Sequence, residues 1–190
     1  MSRISSTTTA SYYYITSCCL EMSSTEKTQN LEQYLRSNGA YINPNITVVE
    51  DSASGVHLRA HSRLEAESSI VSIPHTLCLS YLNALVDDSW PVFKQHRHRF
   101  KVEAIGFWYL AAQYLHRETS FWRPYLESLP SPESEHTQPL FFEDADDVAW
   151  LEGTDVWHTH LGRTEVHRGY YDEGIAILQE AGVDVTGFTW

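Results

Sequence analysis

Gly55 is the residue whose sequence surroundings best suit ligand binding. In "DSASGVHLRA" it separates two segments rich in apolar and β-branched residues, 46–51 and 56–60. A glycine at the junction of a strand and a turn has no Cβ and readily adopts a positive φ, so backbone there can approach a ligand closely. Ordinary hairpin turns carry the same pattern, and the glycine alone does not distinguish the two.

Two histidine pairs have the composition of metal ligands. His96 and His98 lie in "KQHRHRFK", where four Lys and Arg side chains would repel a cation. His158 and His160 share a face only in an extended segment, and no nearby carboxylate is placed as a third ligand. The sequence therefore predicts solvated or hydrogen-bonded imidazoles and no metal.

The segment 94–101 is the one concentration of positive charge in a chain of formal net charge -12. It is either a solvated helix start or interlobe loop, or a docking patch for an acidic segment of a partner protein. One short cluster supplies few phosphate contacts, and an acidic body repels anionic lipid. We expect neither nucleic acid nor a membrane as a partner.

The usual catalytic signatures are missing from the sequence. It contains no GxSxG, no GxxxxGK[ST], no GxGxxG and no HExxH. Readings of the chain as a serine hydrolase, a P-loop NTPase or a zinc protease have no support from motifs.

The N-terminus and the cysteines indicate the compartment. The Ser/Thr-rich start, residues 1–29, predicts a disordered leader, or translated sequence upstream of a later start at Met22, and it lacks the apolar run of a signal peptide or a membrane span. Three cysteines, two of them adjacent, form no disulfide framework. Both features predict a cytoplasmic or nuclear protein.

The elements that must position these residues change in character along the chain. A short helix follows Asn30 as its N-cap, and "ITVVED" and "VHLRAHS" predict two strands around a turn. Ile70, Val71 and Ile73 predict a buried strand that ends at Pro74, and Ser80 can cap a helical turn. The first half is therefore rich in β-structure.

The second half is predicted to be mainly helical. Apolar residues recur at helical spacing from Lys101 to about Arg117. Acidic residues at Glu143–Asp147 suit the start of a helix that Gly153 ends, and another helix is expected over 164–182. The fold class predicted from this order is α+β.

The segment "SFWRPYLESLP" carries much rigid aromatic bulk between prolines. Phe121, Trp122 and Tyr125 bury a large area at low entropy cost, so they are expected to brace a loop and a short helix against the rest of the fold. Ser120 is a cap candidate and Pro130 a stop. Arg123 is assigned no catalytic role.

Three segments then occur in the order and spacing of one family: "SGVHLRAHSRLEAESSIVSIPHTLCLS", "SFWRPYLESLP" and "PLFFEDADDVAWLEGT". From about Leu31 to its end, the chain resembles the N-terminal part of the SET-domain protein methyltransferases of the Rubisco large-subunit methyltransferase type. These include protein-lysine and actin-histidine methyltransferases.

The resemblance implies a small β-rich N-terminal part of a split SET domain, residues 30–100, followed by a mainly helical insert region, residues 101–190. It implies S-adenosylmethionine as cofactor, protein-lysine N-methyltransferase activity and a non-histone protein substrate. Carried over by position, the cofactor turn falls on Ser54, Gly55, Val56, His57 and Leu58, with Arg59 at a position that contacts the cofactor in some members. His57 departs from the pattern, since a second glycine is usual there.

Two further family features have no counterpart in these 190 residues. Members carry an Asn-His motif and a later tyrosine over the methyl-transfer channel, and no Asn-His pair occurs here. The sequence therefore predicts a truncated SET region, inactive alone, in which no catalytic residue is assigned. The alternative is a non-catalytic, SET-derived protein-interaction module.

Overall fold

The computed structural model describes residues 23–131, 146 and 149–190. Its elements, in chain order, are α1 (Ser24–Ser37), β1 (Tyr41–Ile42), β2 (Ile46–Asp51), β3 (Gly55–Ala60), β4 (Val71–Ser72), a 3-10 turn (His75–Leu77), α2 (Tyr81–Ala84), α3 (Pro91–Gln95), α4 (Val102–Leu115), a 3-10 turn (Arg117–Thr119), α5 (Arg123–Ser128) and α6 (Asp155–Glu180). Strands occupy the first half and helices dominate the second, which confirms the α+β class.

The strands of the described residues form two antiparallel pairs. β2 and β3 make a hairpin from the pair Ile46 and Ala60 to the pair Asp51 and Gly55, as the sequence predicted. Ile46 and Val48 alternate with outward residues of β2 and are buried. The hairpin therefore has one face on the protein interior.

The second pair, β1 with β4, corrects the prediction of a buried strand over 70–73. Only Val71 and Ser72 pair with β1, and Ile70 and Ile73 are 47% and 36% exposed. β1 is itself two residues long, so the ladder ends before either isoleucine is covered.

Helix α1 begins seven residues earlier than expected. Ser23 is its N-cap, and the side chain accepts a hydrogen bond from the Glu26 N–H (3.3 Å). Ser23 followed by Glu26 is a capping-box sequence, which sets the start ahead of Asn30. The prediction of a disordered leader is thus wrong for residues 24–29, while residues 1–22 lie outside the described residues.

Helix α4 confirms its prediction, with Lys101 as N-cap, and forms the centre of the helical core. Its buried residues include Ile105, Trp108, Tyr109 and Ala112. The rest of the core cluster comes from neighbouring segments: Ala84, Val92, Phe93, Phe100, Ile177, Leu178 and Phe188. Burial of large apolar side chains is the main stabilising term for such a cluster.

Helix α6 is longer than the sequence indicated. It starts after Thr154, whose Oγ1 accepts a hydrogen bond from the Trp157 N–H (3.4 Å), and not at Thr164. Gly153 has a φ of 78°, and the helix that it was predicted to end lies largely outside the described residues. The helix start predicted at Glu143–Asp147 lies outside the described residues except for Asp146. Among the described helices none is long and apolar enough to cross a bilayer.

The aromatic segment is the junction between α1 and α4. The predicted burial is confirmed for Trp122, which is 4% exposed, but not for Phe121 and Tyr125, which are 54% and 38% exposed. The ring of Phe121 still lies 5.4 Å from that of Tyr34 in α1. Arg123 pairs with Glu127 (2.7 Å) in α5. We refer to residues 120–130 as the aromatic brace.

The buried hydroxyl of Tyr34 is expected to destabilise this junction. Its hydroxyl is buried, has no hydrogen-bond partner among the described residues, and burial raises its pKa to about 12. Tyr34→Phe is expected to raise the free energy of unfolding by about 1 kcal/mol at neutral pH, because it removes an unsatisfied polar group.

Tyr34→Phe should also make the free energy of unfolding less sensitive to alkaline pH. In the unfolded chain a tyrosine ionises near its usual pKa of about 10, so the stability that the raised pKa provides is complete below that pH and falls as the pH rises further. Urea unfolding at neutral and alkaline pH measures both effects, with exposed Tyr41→Phe as the control. Equal responses of the two variants would contradict the assignment.

Candidate functional site

The hairpin turn holds Gly55 in the backbone conformation that favours glycine. Residues 52–54 connect Asp51 to Gly55, whose φ is 61°. Asp51 Oδ1 accepts hydrogen bonds from the N–H groups of Ala53 (3.0 Å) and Ser54 (2.8 Å). The bond from Ser54 is the main reason that the pKa of Asp51 lies below its usual value. The turn is therefore pre-formed by its own residues.

An open cavity of about 1090 Å³ lies beside this turn. Its walls are the hairpin, helix α1 and the C-terminal end of α5 with the residues that follow. Its lining comprises Lys27, Leu31, residues 50–56, Tyr125 and residues 127–131. Ser54, Gly55 and Val56, three of the residues predicted from the resemblance, lie together on it.

His57 and Arg59 are placed differently. Alternation along β3 puts both side chains on the face opposite to Val56, and neither lines the cavity. Arg59 Nη2 lies 3.2 Å and His57 Nε2 3.6 Å from Asp51 Oδ2. Their side chains thus support the carboxylate that orders the turn.

The lining mixes hydrogen-bonding groups with apolar surface. Leu31, Val56 and Tyr125 offer apolar contact, and the exposed turn offers hydroxyl and backbone groups. Asp51 and Glu127 both line it and are both paired with arginines, Arg59 and Arg123. Such a surface suits a ligand that combines a ring with several polar groups.

The contributions of Leu31 and Tyr125 to this cavity were not foreseen. They belong to α1 and α5, far in sequence from the turn, and only the contact between these helices brings them to it. The one signal in the sequence was the aromatic brace, which was interpreted as structural.

A second polar cluster lies at the edge of the core and connects the brace to α4. Asp87 Oδ2 accepts hydrogen bonds from the hydroxyl of Tyr109 (2.7 Å) and from Gln113 Nε2 (3.0 Å). Trp122 Nε1 donates to the Tyr109 hydroxyl (3.2 Å), and Ser120 Oγ donates to Gln113 Oε1 (2.6 Å). Burial, followed by the bond to Asp87, raises the pKa of Tyr109. Every member is satisfied, so the cluster fixes the position of the brace.

The histidine pairs do not assemble a metal site in the described part of the chain, where no group of three or more His, Cys, Asp or Glu side chains is suitably placed. His96 lies in the turn after α3, and His158 lies within α6. The segment is thus helical at His158, not extended as a shared face of this pair would require.

Comparison with known proteins gives related sequences. No protein-family model matches the chain. Over 132 residues, 68% of the chain, it is 31% identical to an actin-histidine N-methyltransferase of Otolemur garnettii and 30% identical to those of Homo sapiens and Papio anubis. The matched region is 21% of the length of each relative.

The names of these relatives specify a methyl transfer to a protein, which requires a methyl donor. Their match agrees with the SET-type resemblance carried by the sequence motifs. The chain is thus similar, over most of its own length and about a fifth of theirs, to protein methyltransferases of the SET type.

Proposed function

We propose that this chain is part of an S-adenosylmethionine-dependent protein methyltransferase of the Rubisco large-subunit methyltransferase type, acting in the cytoplasm or nucleus. The observation that carries the proposal is the 132-residue similarity to actin-histidine N-methyltransferases. A histidine of an actin-like protein is the acceptor that the relatives' names favour. Methylation of lysine remains a prediction from the resemblance.

S-adenosylmethionine supplies a methyl group on a sulfonium, and transfer breaks the C–S bond while a C–N bond forms on the acceptor, which loses a proton. The protein's part in such a displacement is to bind and align both partners and to exclude water. In this chain, the pre-formed turn and the cavity beside it are the features suited to binding.

The cavity suits the cofactor in size and chemistry. Small-molecule sites are commonly about 300–1,000 Å³ and combine apolar walls with a few polar groups. Ser54 and Gly55 would hydrogen-bond the cofactor from the turn, and Leu31, Val56 and Tyr125 would contact its apolar parts. His57 and Arg59 would act by holding Asp51 and the turn.

Isothermal titration of the chain with S-adenosylmethionine tests this site. Val56→Arg is expected to weaken binding by at least about tenfold, equivalent to 1.4 kcal/mol, because it places bulk and positive charge beside a cationic ligand. Leu58→Arg is the matched control: Leu58 lies on the same face of β3, is comparably exposed and does not line the cavity.

The variants also show which face of the hairpin binds the cofactor. If Arg59→Ala abolishes binding while Val56→Arg leaves it unchanged, the cofactor lies on the Asp51, His57 and Arg59 face and the cavity is not its site. Absence of any binding by the folded wild-type chain would remove the claim that the turn forms a site by itself. Mass spectrometry of an actin-derived peptide incubated with the protein and S-adenosylmethionine then identifies histidine or lysine as the methylated residue.

A further inference from the structure

Residues 94–101, here called the basic turn, comprise the end of α3 and the segment that leads to α4, and they are fixed to the helical core by buried aromatic side chains. The flanking Phe93 is fully buried and Phe100 is 6% exposed, with their rings 5.8 Å apart. Inside the basic turn, the His96 N–H donates to the Val92 carbonyl (2.9 Å) and the Arg99 N–H donates to the His96 carbonyl (2.9 Å). Its backbone is therefore anchored at both ends and bonded within.

The four cations of the basic turn have different surroundings. Arg99 pairs with Glu180 (2.6 Å) at the end of α6, and this hydrogen bond is the main cause of the lowered pKa of Glu180. Lys94, Arg97 and Lys101 are exposed and form no ion pair with any residue that the structure describes. One cation thus fixes the turn to α6, and three remain available to a partner.

The acidity of the whole chain does not cancel this local charge. At physiological salt the Debye length is about 8 Å, so distant carboxylates are screened from a group that touches the basic turn. Because hydrogen bonds already fix the backbone of the basic turn, the chain loses little conformational entropy when a partner binds there. The sequence alone left open whether these cations were solvated or used in docking. Their clustering on a hydrogen-bonded backbone segment, exposed and without ion pairs to described residues, favours docking.

We propose that the basic turn is a docking surface for an acidic segment of a partner protein. The site lies in the helical half of the chain and is independent of the cofactor cavity, so it stands whether or not the chain binds S-adenosylmethionine. Three cations neutralise too few phosphates to support tight nucleic-acid binding. A flexible acidic peptide, by contrast, can place several carboxylates against one short turn.

Fluorescence anisotropy with a labelled oligoglutamate peptide tests the proposal at low and at physiological salt. The variant Arg97→Glu/Lys101→Glu is expected to bind the peptide about tenfold more weakly, because each reversal removes an attraction and adds a repulsion. Both positions are exposed, and an acidic residue at the N-cap of α4 favours the helix, so the variant is expected to fold.

The matched control is Arg63→Glu/Arg163→Glu, which makes the same change of net charge at exposed positions outside the basic turn. It is expected to keep at least half of the wild-type affinity. Equal weakening in both variants would show a response to net charge only and would overturn the proposal. So would failure of the wild-type chain to bind the peptide at low salt, or tighter binding of a single-stranded oligonucleotide of equal charge.

Discussion

Gly174→Ala is expected to lower the free energy of unfolding by about 3 kcal/mol, because it overpacks the core. A Cβ on Gly174 would overlap the indole ring of Trp108. That ring is 6% exposed, lies 5.5 Å from the ring of Phe188, and donates a hydrogen bond from Nε1 to the Tyr170 carbonyl (3.3 Å). The indole cannot move away without breaking these contacts, so α4, which carries Trp108, and α6, which carries Gly174, would have to separate.

Another glycine of the same helix provides the control. Nothing lies within 4 Å of a Cβ built on Gly169. Gly169→Ala is therefore expected to stabilise the protein by about 0.5–1 kcal/mol, since alanine is the better helix former. Urea unfolding followed by circular dichroism measures both changes. A loss of similar size from the two substitutions would mean that α6 does not tolerate alanine in general, and that the contact with Trp108 is not the cause.

A double-mutant cycle identifies the contact itself. In a Trp108→Leu background the side chain that meets the new Cβ is much smaller, so Gly174→Ala should cost less than it does in the wild-type chain. Additive effects of the two substitutions would place the destabilisation elsewhere in the helix. Trp108→Leu is itself expected to be destabilising, because it removes a large buried aromatic side chain.

The behaviour of α6 shows where local sequence patterns stop being sufficient. Gly162 and Gly169 weaken a helix, and the apolar pattern is clear only towards its C-terminal end, so the sequence predicted a start at Thr164. In the structure the helix begins at Asp155, with Thr154 as its cap. Packing of its second half against α4 offsets the glycine cost, and such tertiary stabilisation is not encoded in a local window.

The strands also show that local sequence predicts an element better than it predicts the contacts of that element. The hairpin of β2 and β3 was predictable because its turn, its glycine and its apolar residues are all within fifteen residues. The burial of Ile70 and Ile73 was predicted from their side chains alone and is wrong, since it depends on how far β1 extends. Hydrophobic residues indicate a strand, whereas its neighbours decide what it buries.

The candidate site was predictable in part for a related reason. Ser54, Gly55 and Val56 form one local turn and were identified together, while Leu31 and Tyr125 join them only through the contact between α1 and α5. His57 and Arg59 follow directly in sequence, yet the alternation of a strand sends them to the face of Asp51. Proximity along the chain is therefore a weak guide to shared function within a strand.

Asp87→Ala is expected to lower the free energy of unfolding by about 3 kcal/mol, because hydrogen bonds to a charged group are each worth about 1.5–3 kcal/mol. The substitution leaves the hydroxyl of Tyr109 and the amide of Gln113 without their acceptor. Tyr109 is 1% exposed and Gln113 is 5% exposed, so most of the surface of both side chains is shielded from solvent, although both border a small cavity beside Asp87. The brace should loosen as well, since Trp122 donates to the same hydroxyl.

A substitution of the neighbouring Asp88 is the control that distinguishes loss of this hydrogen-bond network from loss of a negative charge. Asp88 is exposed, and Asp88→Ala should change the stability by less than about 0.5 kcal/mol, the usual range for surface substitutions. Urea unfolding followed by circular dichroism measures the stability of both variants. If Asp87→Ala and Asp88→Ala behave alike, the network is not a stabilising unit. If Asp87→Ala alone is destabilising, and if it costs less in a Tyr109→Phe background than in the wild-type chain, the hydroxyl and the carboxylate are coupled. The junction of brace and helical core then depends on the hydrogen bond between Tyr109 and the half-buried Asp87.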